Sequence, residues 1–237
     1  MSNFKCGTAS HAGQACTEQL DHYLADAELG LWLVSDGVRE RGNGSVASKI
    51  VVDSVTDFVK QGSELTSAIQ LAHNDIVAAA NDQPSHDMTA TIVAAQEADD
   101  SLELAWVGNS RAYLYDMASP ETVRQLSTDH SYMQLLVDTG TFHADDLMSS
   151  KDRNVLTISM GDEDIEDLNA EHMQQQLGLT QKVILCSDGL NKALSDNEIA
   201  QIMAKSVSID NNAKDLVDEA VARGVSDDVT VIVISRT

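Results

Sequence analysis

Three aspartate-centred patches carry the chemistry of this chain: Asp36-Gly37, Ser187-Asp188-Gly189 and Ser226-Asp227-Asp228. Each is expected to close a run of β-type residues, and strand ends are where the backbone turns and side chains from distant segments can converge. Carboxylates are hard oxygen donors of the kind Mg²⁺ and Mn²⁺ select. One such patch alone reads as a turn, because Gly supplies positive φ and Asp bonds its own backbone. Three in one chain point to a fold that gathers one carboxylate from each patch around a divalent cation.

Residues 29–35, 90–95, 102–107, 111–115, 183–187 and 229–235 are short apolar or alternating runs bounded by turn residues, and all six are expected to be strands. Between the first two, residues 46–60 carry apolar side chains at helical spacing, and a second helix is expected over about 65–80. Ser195 and Glu198 have the spacing of a capping box and open a helix to about residue 205, while residues 213–223 end a further helix before Gly224. Paired helices and hairpins without regular βαβ alternation predict an α+β layered sandwich rather than a dinucleotide-binding sheet.

The 237 residues, 43% hydrophobic and with 2 prolines, suit one domain with a substantial core. With 15 basic and 38 acidic residues the formal charge is −23, which repels nucleic-acid phosphates and anionic lipid. No run approaches the roughly 20 apolar residues of a membrane span, and the first residues lack the apolar stretch of a secretion signal. A soluble, cytoplasmic protein without nucleic-acid or membrane partners is expected. Cys6, Cys16 and Cys186 lack metal-type spacing and read as reduced thiols.

The patches occur in a fixed order with further motifs. These are Val34 to Gly37, Ala47-Ser48, Thr91 to Ala95, Val107 to Leu114, Gln125 to Gly140, Arg153 to Gly161, Leu185 to Leu190 and Ser226 to Val233. In this combination the chain resembles the metal-dependent Ser/Thr protein phosphatases (PPM, type 2C) in their compact bacterial form. The resemblance spans nearly the whole chain. It implies a four-layer α/β/β/α sandwich, with two central antiparallel sheets flanked by helices, and a metal site at one end. A single phosphatase domain over 1–237 would carry a flap around 139–154. Its chemistry would be hydrolysis of phosphoserine and phosphothreonine in proteins by metal-activated water, using Mg²⁺ or Mn²⁺ ions roughly 3.5–4 Å apart. Asp36 would bridge the ions, the Gly37 carbonyl would join it on one, and Asp188 and Asp227 would hold the other. A phosphoprotein substrate and a Ser/Thr kinase system are the implied partners.

Several site positions depart from the family pattern. Leu20 stands where a metal-ligating Glu is expected, leaving Glu18 or Asp21 to reach in, and Cys16 stands at the phosphate-binding Arg. The loop after Gly37 lacks its usual His, although Arg39 or Arg41 offers a guanidinium fork for phosphate. Asn109 replaces an Asp of a third metal site, which should be weak or absent. Asp228 replaces an Asn and adds a carboxylate. His130 and Ser131 match a motif beneath the site, where a buried His is expected to bond structurally, and His11 and His22 are alternatives for a proton donor. The expectation is a phosphatase with a weakened site of one or two ions. The alternative is a catalytically silent relative that binds a phosphoprotein or kinase.

Overall fold

The computed structural model describes residues 2–13, 18–38, 43–81, 88–140 and 155–237. Strands β1 (Phe4–His11), β2 (Asp21–Asp26) and β3 (Leu31–Asp36) lead into helices α1 (Gly44–Lys60) and α2 (Leu65–Asn81). Strands β4 (Ile92–Ala98), β5 (Ser101–Val107), β6 (Arg111–Asp116) and β7 (Arg124–Gln125) precede helix α3 (Tyr132–Asp138). There follow β8 (Glu171–Gln176), β9 (Gln181–Cys186), α4 (Asp188–Ala193), α5 (Asp196–Met203), α6 (Ile209–Ala222) and β10 (Val229–Arg236).

The strands form two five-stranded antiparallel sheets, ordered β1-β10-β9-β6-β7 and β2-β3-β4-β5-β8. Strand periodicity divides their side chains between two faces. In β3, Leu31 and Leu33 join the layer under α1 and α2, whereas Trp32 and Val34 join the layer between the sheets. In β10, Val229, Val231 and Val233 pack under α5 and α6, while Ile232 and Ile234 face the opposite sheet. Three apolar layers therefore separate four layers of secondary structure, as expected of the α/β/β/α sandwich. On α1 the buried Ala47, Val51, Val55 and Val59 recur every four residues, the stripe that a helix lays on a sheet.

All six expected strands are present, and so are the four expected helices. Helix α6 begins earlier than expected, at Ile209, because Ser208 caps it by accepting a bond from the Asn211 amide. Ser195 and Glu198 do form a capping box. The third aspartate patch corrects the sequence reading: Asp227 and Asp228 lie before β10 and open it, rather than closing a strand. Asp188 closes β9 only in the sense that it begins α4 immediately after Ser187. Of the expected flap, Thr139 caps the C-terminus of α3 and Gly140 continues its turn, and residues 141–154 lie outside the described residues.

Candidate metal centre

Asp36 is the last residue of β3, and its backbone is fixed from both sides. Its amide donates to Thr91 Oγ1 at 3.2 Å, and its carbonyl accepts from the Thr91 amide at 2.8 Å. Gly37 continues this edge, donating to the Leu20 carbonyl at 3.2 Å. A Cβ at position 37 would lie 2.1 Å from the Gly44 carbonyl oxygen, so glycine is what allows the start of α1 to close against the Asp36 turn. On the other sheet, a Cβ at Gly189 would lie 2.1 Å from the Asp228 carbonyl. That close approach seats α4 on the turn before β10 and sets Asp188 beside Asp227.

These loops enclose a cavity of ≈ 160 Å³ at one end of the sandwich, lined by Asp36, Gly37, Asn109, Asp188, Asp227 and Asp228, with Leu20 and Leu156 as apolar walls. The structure thus brings together six of the residues expected at the site. Asn109 turns its amide toward Asp188, donating to Oδ2 at 2.9 Å. Asp at this position would repel that carboxylate, so Asn109 orients Asp188. Asp228 reaches the wall, but its two carboxylate oxygens already accept backbone N–H groups of Gly13 at 2.7 Å and Leu20 at 2.5 Å. It ties down both ends of the segment that carries the altered N-terminal motif.

Asp21 does not fill the place of the missing Glu. As the first residue of β2 it pairs with Asp36 in register, and its buried Oδ2 accepts from Ser187 Oγ at 2.7 Å beneath the cavity. Glu18 is exposed and away from the cavity lining. Cys16, Arg39 and Arg41 lie outside the described residues. His130 is structural, as expected. Its Nδ1 accepts from the Gly108 amide at 3.2 Å, its own amide bonds the Gly108 carbonyl, and its carbonyl holds Thr157. It therefore positions Asn109 and Leu156 from below. Its Nε2 lies 3.2 Å from a Glu171 oxygen, outside hydrogen-bond geometry. His22 Nδ1 lies 3.0 Å from Ser48 Oγ on α1 rather than in the cavity, and exposed His11 ends β1.

The sequence reading missed Lys192. Its Nζ lies 2.7 Å from Asp188 Oδ2 and 2.8 Å from Asp227 Oδ2, with the side chain 25% exposed. Burial alone would lower its pKa, but Asp188 and Asp227 reverse that and hold the ammonium firmly protonated. The i, i+4 spacing of Asp188 and Lys192 was visible, but only a helix begun directly at the strand end turns it into a contact.

The electrostatics fit a hard divalent cation in part. Burial pushes the Asp36 carboxyl well above its usual range, and repulsion from Asp21, Asp188 and Asp227 adds to this against an opposing effect of Lys192. Asp21 is raised to about 7, chiefly by burial, and its Oδ1 is buried without a hydrogen-bond partner. Carboxylates gathered in this way have the donor chemistry of an Mg²⁺ or Mn²⁺ site. Yet among the described residues no three Asp, Glu, His or Cys side chains converge at metal-ligand spacing. The ammonium of Lys192 stands between two of the carboxylates.

Two antiparallel five-stranded sheets flanked by helices are the architecture of PPM phosphatase structures. The family model "Protein phosphatase 2C" matches residues 7–223, and the chain belongs to this family. It is 30% identical over 215 residues to the serine/threonine phosphatase stp of Listeria welshimeri, which covers 86% of this chain and 83% of that protein. The fold is also that of the serine/threonine phosphatase Stp1 of Staphylococcus aureus, with a TM-score of 0.90 at 24% identity over 99% of this chain and 95% of that one. A structure of the catalytic domain of the protein phosphatase PstP in complex with 2 manganese ions is similar, with a TM-score of 0.83 at 23% identity over 98% and 97% of the two chains.

Proposed function

We propose that the protein hydrolyses phosphoserine and phosphothreonine in proteins with the help of Mg²⁺ or Mn²⁺, acting opposite a Ser/Thr kinase in the cytoplasm. The observation that carries this reading is the convergence of Asp36, Gly37, Asp188 and Asp227 from both sheets on one cavity. The names of the relatives support the reaction, and the manganese ions of the PstP structure support the metal. In this proposal Asp36 and the Gly37 carbonyl hold one cation, and Asp188 and Asp227 a second. A bound divalent cation supplies charge for the phosphoryl oxygens and a nucleophile from water at neutral pH. The protein's share is placement: Thr91 fixes Asp36, Asn109 orients Asp188, and Leu20 and Leu156 keep bulk water from the walls. Arg39 or Arg41 is proposed to bind the substrate phosphate.

The test is phosphate release from a phosphothreonine peptide as Mn²⁺ is raised from micromolar to tens of millimolar. Turnover should saturate with metal and fall at least a hundredfold in Asp36→Asn and in Asp188→Asn. A second reading, a silent phosphoprotein- or kinase-binding module, draws on the apolar Leu20 wall and on the Lys192 ammonium between two ligand carboxylates. Folded protein that releases no phosphate at any metal concentration would favour it.

A further inference from the structure

Among the described residues, Lys192 is the only basic one that lines the cavity. Its contacts fall on one oxygen of Asp188 and one of Asp227, the two carboxylates assigned to the second cation. Asp188 Oδ2 accepts from Asn109 as well, so this oxygen already serves two donors. An ammonium and a divalent cation seek the same lone pairs, and they cannot share a gap spanned by hydrogen bonds of 2.7 and 2.8 Å. The position is built rather than incidental. Lys192 lies one helical turn after Asp188 on α4, and the approach of Gly189 to the Asp228 carbonyl locks that helix against the segment carrying Asp227.

We propose that Lys192 is a tethered cation that holds Asp188 and Asp227 together in the metal-free protein, so that a divalent ion enters there only by displacing it. The inference rests on the metal-dependent reading above. Two consequences follow for the same side chain. Removing the ammonium takes a positive partner from the buried Asp188 and from Asp227 beside it, which destabilises the metal-free state. It also removes the competitor, which strengthens metal binding.

Isothermal titration with MnCl₂, together with thermal melts in EDTA and in saturating Mn²⁺, tests this on the parent chain and three variants. Lys192→Met and Lys192→Gln should bind Mn²⁺ at least tenfold more tightly. They should also melt below the parent in EDTA and gain more than the parent from Mn²⁺. Lys192→Arg keeps the charge and should remain near the parent in all three measurements. If the parent binds Mn²⁺ and the Met and Gln variants, folded by circular dichroism, bind it with unchanged affinity, the tethered-cation proposal falls while the metal site stands. If neither parent nor variants take up Mn²⁺, the metal reading falls and this proposal with it.

Discussion

At the residue scale the site is defined by excess negative charge that neighbouring groups only partly relieve. Asp21 shows this most clearly, because it lies beneath the cavity, bonded to Ser187 and with one oxygen unpartnered. Its pKa is raised from 3.8 to about 7, first by burial, so the folded protein keeps a proton there that the unfolded chain releases. Stability therefore falls as pH rises from about 4 to about 7, by on the order of 4 kcal/mol for this group. Asparagine at position 21 can still accept from Ser187 but has no proton to lose. In EDTA, urea unfolding of Asp21→Asn should become more stable relative to the parent across that window, with the difference levelling above pH 7. Parallel pH profiles for the two proteins would show that Asp21 is ionised in the folded state.

Among the elements, α4 matters most for its length. Six residues span Asp188 to Ala193, and they convert a strand end into a platform carrying both a carboxylate and its ammonium. Gly189 makes the docking possible, since any Cβ there would meet the Asp228 carbonyl at 2.1 Å. Gly189→Ala should lower the melting temperature by several degrees and reduce phosphate release at least tenfold, because α4 must lift and separate Asp188 from Asp227. An alanine variant with parental activity would mean that the turn before β10 yields instead. A helix this short, begun directly at the strand end, has no periodicity to read, which is why the sequence singles out Asp188 but not Lys192, although both line the cavity. The same physics decided which strands were legible. The six expected strands are the three inner strands of each sheet, β10, β9 and β6 in one and β3, β4 and β5 in the other. Buried on both faces, they read as apolar runs. The four edges, β1, β2, β7 and β8, were not foreseen, and β8 shows the reason: in Glu171–Gln176 only Met173 packs against the core between the sheets.

For the whole molecule, the site is a product of sheet-on-sheet packing. Asp36 ends a strand of one sheet, Asp188 and Asp227 flank strands of the other, and Asn109 sits on the link from β5 to β6 where the chain crosses between them. That pairing could be inferred in sequence from the order of motifs. The distance across the cavity could not, because it is set by side chains far from the motifs, such as Trp32 and Ile232 in the layer between the sheets. Neighbouring positions on β10 separate this role from stability alone. Ile232 faces the opposite sheet and Val233 faces the helices, and both are fully buried. Truncation to alanine should destabilise either way, by about 2–4 kcal/mol for Ile232 and somewhat less for the smaller Val233, as judged by urea unfolding. Ile232→Ala also lets the sheets settle closer and shifts Asp36 relative to Asp188, so its Mn²⁺-dependent turnover under native conditions should fall several-fold. Val233→Ala leaves the inter-sheet spacing intact and should keep turnover near the parent. Equal losses of activity would mean that the cavity answers to overall stability rather than to the packing between the two sheets.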